Sequence, residues 1–261
     1  MSQIRQPAVA NRFYPGDAQE LGVMLDAYLS SDRAGAQPPK ALVVPHAGYI
    51  YSGPIAASAY ATLRPVRDAI RRVVLLGPSH RLPFRGLAAS MASDFATPIG
   101  LVRLDRAAID AALELSQVQP LEAAHTFEHS LEVQLPFLQR ALGDFTLAPF
   151  VVGEATPESV AEVLDALWGG PETLILVSSD LSHYLDYETA NRLDHQTSTA
   201  IEALDPNGIG PDRACGHAPL RGLLTLAKRH GLRAETLDLR NSGDTAGSRD
   251  QVVGYGAYAL N

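Results

Sequence analysis

The sequence predicts an α/β protein, a single domain over residues 1–261 with a central, largely parallel or mixed sheet flanked by helices. Three observations predict it. Short apolar runs, ALVV at 41–44, VVLL at 73–76 and LILV at 174–177, have the length and unbroken hydrophobicity of strands buried on both faces. Stretches with helix start and stop signals lie between them, and the alternation continues without a linker, a solenoid repeat or a low-complexity segment. A hydrophobic content of 46% over 261 residues suffices for one large core.

Each element has a local reason. Residues 1–16 are rich in turn formers and are expected to be irregular. DAQELGVMLDAYLSS (17–31) reads as a helix with Asp17 as its N-cap, and AGAQPPK (34–40) as a loop. ALVVP is a strand. Gly53 and Pro54 are expected to open a helix through IAASAYATL, since proline suits a first helical position. RRVVLLGPSH repeats the strand pattern, and RGLAASMASDFATPIGLVRL suggests extended segments around a turn at Thr97–Gly100. DRAAIDAALEL is a helix. HSLEVQLPFLQRAL is another, kinked or restarted at Pro136. FTLAPFVVG is a strand. TPESVAEVLDALWG is a helix with Thr156 as cap and Pro157 at its first position. ETLILVSSDLSHY is a strand with a polar tail, followed by a helix over YETANRLDHQTSTAIEAL. CGHAPLRGLLTLAKRHGL is a loop feeding a helix that ends at Gly231, and RAETLDLRN and QVVGYGAYAL are the last strands.

Composition excludes several partner classes. The formal net charge is -8, with no basic block, so neither nucleic acid nor an anionic membrane surface is an expected partner. No run approaches the ~18 apolar residues of a spanning helix. The start of the chain lacks the apolar core of a signal peptide, and the one cysteine, Cys215, permits no internal disulfide. A soluble cytoplasmic protein is expected.

The chemistry is expected beyond the carboxyl ends of the strands, where open α/β sheets bind ligands. Three apolar strands are followed there by a histidine: His46 after VVP, His80 in GPSH and His183 in SSDLSH. Neighbouring strands would bring the three imidazoles to one crevice, with Asp180 beside them. Imidazole is the commonest metal-binding side chain, so a metal is the first expectation. Cys215 precedes a helix and is a further ligand candidate, as is His217. HTFEH (125–129) matches the inverted zinc-protease motif H-x-x-E-H, in which a continuous helix would put His125 and His129 on one face with Glu128 as base. Ser178-Ser179-Asp180 lacks a G-x-S-x-G elbow, and no P-loop or G-x-G-x-x-G is present.

Seven segments in order, AVANRFYPG, PHAGYIYSGPIAASAY, LGPSH, EHSLEVQLPFLQ, SSDLSHY, ACG and NSGDTAGSRDQVVGYGAYAL, resemble the Memo family across nearly the whole chain. In bacteria and archaea these are the Memo-like members of the AmmeMemoRadiSam group. The resemblance implies a single Memo-like domain over 1–261, with a fold like that of the class III extradiol dioxygenases. It implies that His46, His80 and Cys215 are metal ligands, that Asp180 and His183 are the polar catalytic pair, and that His129 and Glu132 line the same pocket. Tyr49 and Tyr51 are expected as pocket walls. Iron (Fe2+) is the first expected metal, with copper or zinc as alternatives. A cysteine where those dioxygenases have a carboxylate ligand departs from ordinary extradiol chemistry. Asn11 stands where the family often has glycine, which is expected to alter only a turn.

The resulting expectation is a non-haem iron or copper redox protein, or an oxygen-using enzyme, acting on a small-molecule or peptide substrate. A functional link to a radical-SAM protein and an AMMECR-type protein is implied by the group's name. The competing expectations are a peptide- or protein-binding module with a vestigial metal crevice, and a zinc hydrolase built on His125, Glu128 and His129.

Overall fold

The computed structural model describes residues 3–30 and 38–261. The first part of the predicted 34–40 loop and the end of the first predicted helix, Ser31, lie outside them. The chain runs through β1 (Ile4–Arg5), α1 (Ala18–Leu29), β2 (Ala41–Val44), α2 (Tyr49–Tyr60), β3 (Arg72–Pro78), β4 (Leu87–Ala89), β5 (Asp94–Thr97) and β6 (Gly100–Arg103). It continues through α3 (Arg106–Leu113), β7 (Val118–Pro120), α4 (Glu122–Thr126), α5 (Gln134–Ala141), β8 (Thr146–Val152) and α6 (Pro157–Ala166). The last elements are β9 (Thr173–Ser178), β10 (His183–Leu185), α7 (Tyr187–Glu202), α8 (His217–Arg229), β11 (Ala234–Asn241) and β12 (Val252–Leu260).

The main sheet is mixed, as the alternation of elements predicts, and helices flank it. Its centre is parallel, in the order β2-β9-β3-β8. Antiparallel strands extend it: β12 beside β2 with β11 and β10 beyond, and β4 beside β8. Residues 41–44, 73–76 and 174–177 are all buried, because helices cover both faces and no position along these strands meets water. A smaller sheet, β1-β5-β6, holds the predicted turn, with Thr97 opposite Gly100. No helix among the described residues is long and apolar enough to cross a membrane.

The predicted caps are made. Asp17 accepts from the backbone N–H groups of Gln19 and Glu20, and Thr156 from that of Ser159. Two helix starts differ from expectation. α2 begins at Tyr49, so Pro54 sits inside it; the carbonyl left without a proline N–H belongs to Ile50, an exposed residue that water can serve. α5 begins at Gln134, two residues ahead of Pro136, whose missing N–H falls in the first turn where no intrahelical partner exists. Asn11 has φ +63°, a left-handed conformation open to glycine and asparagine alike, and its side chain accepts from the Gly16 N–H.

One acid beneath the SSDLSH loop gives a pH signature. Gly254 on β12 has no side chain, and a Cβ there would lie 1.9 Å from Asp194 Oδ2. That close approach lets buried Asp194 accept from both the N–H and the hydroxyl of Ser182, each at 3.0 Å. Burial raises the Asp194 pKa to about 6, against the two Ser182 hydrogen bonds that lower it. A raised folded-state pKa means a stability contribution that is full below about pH 4 and lost as pH rises through 6. Asp194→Asn is therefore expected to gain stability relative to the native chain between pH 4 and 7, by about 2–3 kcal/mol. Denaturation midpoints at the two pH values check this; a difference that does not change with pH would exclude it.

Candidate metal centre

His46 lies two residues beyond the end of β2 and is 1% exposed. Its backbone N–H donates to Asp180 Oδ1 at 2.7 Å, which ties the end of β2 to the loop after β9. Its ring Nδ1 is 2.8 Å from Ser178 Oγ. The hydrogen-bond chain around that hydroxyl fixes the tautomer. Ser178 Oγ gives its one proton to the Ser130 carbonyl at 2.6 Å, which can only accept. It accepts from Gln134 Nε2 at 2.7 Å, and Gln134 is oriented by Tyr60, whose hydroxyl donates to Oε1, and by the Pro45 carbonyl, which accepts from Nε2. The remaining lone pair of Ser178 accepts from His46 Nδ1–H. The lone pair of His46 is therefore on Nε2, 3.3 Å from Cys215 Sγ. Burial first, then His80, His129 and His183, hold the His46 pKa well below its usual range, so the ring is neutral, as metal binding requires.

His80 lies two residues beyond β3 and is locked in the same sense. Glu128 Oε1 accepts from its Nδ1 at 2.9 Å and Oε2 from its backbone N–H at 2.6 Å. Glu128 is buried, which opposes its ionisation. The hydrogen bonds from His80 and from the Ser130 N–H together outweigh burial and hold its pKa at about 2. The free lone pair of His80 is then on Nε2.

Cys215 reaches the same place from the turn before α8. Gly216 makes this possible: a Cβ there would stand 2.7 Å from the Ser179 side chain and 2.8 Å from the Ser178 carbonyl. Cys215 Sγ accepts from the Asp180 N–H at 3.3 Å. Burial, then the charge of Asp180, pushes the thiol up to about 12, so the sulfur keeps its proton until a cation arrives. The ligating atoms of His46, His80 and Cys215 all lie within 4.8 Å of one another. Two imidazoles, each with its second ring nitrogen engaged, and one thiol fit a single metal ion.

A cavity of about 500 Å³ opens beside these residues and is lined by Phe13, Tyr51, His129, Asp180, His183 and Tyr255, among others. His183 Nδ1 donates to the Leu181 carbonyl at 2.8 Å, which leaves Nε2 free. Burial raises the Asp180 pKa. Tyr184, for which the sequence suggests no role, forms part of the rim with φ +58°, a conformation that strains a side chain of this size. His217 lines a second cavity of about 540 Å³, and it is this cavity whose lining includes Cys215.

Other expectations need correction. Tyr49 does not line the cavity: it is buried, with its hydroxyl donating to the Val133 carbonyl and its ring tilted against Phe137. Glu132 is not a pocket residue either. Both its oxygens face the N-terminal segment, where they accept from Arg5, Ala8, Val9 and Tyr14. The protease arrangement is absent. α4 stops at Thr126, so His125 and His129 share no helix face, and His125 Nε2 donates to the Ala88 carbonyl. Ser178, Gln134 and Glu128 are the supporting residues that sequence reasoning missed. Glu128 was visible only as a hydrolase base, and here it holds His80.

A family model described as Memo-like protein matches residues 5–259. The chain is 36% identical over 264 residues to a MEMO1 family protein of Aquifex aeolicus, covering 97% of each. It is 36% identical over 280 residues to one of Saccharolobus islandicus, covering 96% of this chain and 97% of the relative. Among solved structures it is similar in fold to an uncharacterized protein of Escherichia coli K12, with a TM-score of 0.55 and 15% identity over 84% of this chain and 99% of that one. On the strength of the family match and of relatives aligned over almost their whole length, the chain belongs to the Memo family.

Proposed function

We propose that the protein is a metal-dependent redox protein in which His46, His80 and Cys215 hold one ion. The observation that carries this is the meeting of their donor atoms within 4.8 Å, with each imidazole's second nitrogen engaged by Ser178 or Glu128. Iron (Fe2+) is the first candidate, through the likeness to class III extradiol dioxygenases that the family resemblance implies; the thiolate suits copper or zinc as well. The ion would supply electron-transfer or Lewis-acid chemistry at the edge of the 500 Å³ cavity. The chain's own groups do the rest. Asp180 fixes His46 through its backbone N–H and the Cys215 sulfur through its own. His183, exposed on the cavity wall with Nε2 free, is placed to take or give a proton there. Phe13, Tyr51 and Tyr255 line the same cavity.

Metal analysis of anaerobically purified protein against a His46→Ala/Cys215→Ala variant tests the proposal. Close to one equivalent of iron or copper in the native chain and none in the folded variant is expected. No metal in either, even after reconstitution with ferrous, cuprous and zinc ions, would leave the cavity as a recognition pocket for a peptide or small molecule.

A further inference from the structure

We propose that Glu128 and His129 form, with His80, a second cation site of harder donor set that is occupied as an alternative to the first. It rests on the reading of His80 as a metal ligand. The Nδ1 atoms of His80 and His129 stand 2.9 and 3.4 Å from Glu128 Oε1. The ligating atoms of the three residues lie within 4.8 Å of one another, as in the first group. The two rings stack at 4.7 Å with 24° between their planes, and both Nδ1 atoms face the same carboxylate oxygen.

Two features point to a cation rather than to structure alone. His129 Nδ1 is buried and makes no hydrogen bond, although it faces a carboxylate. Glu128 is 1% exposed; it accepts from the backbone N–H groups of His80, His129 and Ser130, and its only ion-pair partners among the described residues are these imidazoles. A buried carboxylate with no permanently charged partner is a place where a cation is favoured. Two imidazoles and one carboxylate make a harder donor set than two imidazoles and a thiolate.

The sharing of His80 makes the sites alternatives. A neutral imidazole has one lone pair. With its proton on Nδ1, donated to Glu128, His80 offers Nε2 to His46 and Cys215. With the proton on Nε2, it offers Nδ1 to Glu128 and His129. Which site fills is then set by the metal: an ion that accepts a thiolate, as Fe2+, copper, zinc and cobalt do, draws on Cys215, and a harder one such as Mn2+ on Glu128.

Cobalt(II) tests this, because a thiolate ligand gives it an intense near-ultraviolet charge-transfer band and nitrogen and oxygen ligands do not. The native chain is expected to bind one equivalent with the band. Cys215→Ser is expected to retain one equivalent without it. Adding either Glu128→Gln or His129→Ala to Cys215→Ser is expected to cost at least ~10-fold in affinity. His129→Ala alone is expected to keep the band, and thermal unfolding confirms that each variant is folded. A folded Cys215→Ser protein that binds no cobalt while the native chain does would overturn the second site and leave the first standing. So would retained binding that neither added substitution weakens. A native chain without the band fails the Cys215 site alone, and the second site then stands or falls on the losses caused by Glu128→Gln and His129→Ala.

Discussion

Glu132→Ala is expected to lower stability by about 3–5 kcal/mol, the cost of removing one partner from a buried ion pair. Glu132 and the side chain of Arg5 are 0% and 3% exposed, with 2.8 Å between them. The carboxylate also accepts from the backbone N–H groups of Ala8 and Val9 at 2.7 and 3.0 Å and from the Tyr14 hydroxyl at 2.5 Å. Its removal strands a guanidinium and two backbone donors away from water. Arg5 would retain the His125 and Glu128 carbonyls and the Phe95 ring, none of which carries a full charge. Glu132→Gln keeps the shape but presents an N–H₂ where donors already converge, so about 1–3 kcal/mol is expected. Denaturant midpoints of the two variants test the order, and a loss under about 1 kcal/mol for alanine would mean that the segment is not clasped by this group. The effect extends to the cavity. The Tyr49 N–H donates to the Phe13 carbonyl at 2.7 Å, and the Phe13 ring lies 4.9 Å from that of His129. Loosening residues 5–14 therefore loosens a wall beside the candidate metal centre.

Glu132 also marks where sequence reading stops. The strand-end rule predicts that His46 and His80 come together, and their rings lie 5.2 Å apart, because parallel strands carry the next residues of the chain to a common edge. It needed only hydrophobic runs and a position count. That β9 lies between β2 and β3 was not legible, since sheet order depends on crossovers that no local signal specifies. The reading of 125–132 relied on helical periodicity across a segment that is not one helix. α4 ends at Thr126 and α5 starts at Gln134, with turns between. Glu128 and Glu132, four residues apart, serve different tasks: one holds His80, the other the N-terminal segment. Ser178 and Gln134 were hidden for another reason. Their role lies in hydrogen bonds to a histidine distant in sequence, and residue type alone gives serine and glutamine no address.

Those two residues carry the second large expectation. Ser178→Ala should cost about 10–100-fold in metal affinity, approaching the loss from His46→Ala itself, although no ligand is touched. The hydroxyl is the acceptor that keeps the His46 proton on Nδ1. Without it, the buried ring can carry the proton on Nε2, the atom facing Cys215, where it blocks the ion. The same change leaves the Ser130 carbonyl and one Gln134 N–H without their shortest partners, so some stability is lost as well. Nitrogen-15 NMR of the metal-free protein separates the two effects, because it reports which ring nitrogen is protonated. A shift of the His46 proton toward Nε2 in Ser178→Ala, together with weaker metal binding, would establish the hydroxyl as the group that orients the ligand. Native affinity in a folded Ser178→Ala protein would show that Cys215 and His80 define the ion's position without it. The chain from Tyr60 through Gln134 to Ser178 would then be a packing device for the junction of α2, α5 and β9.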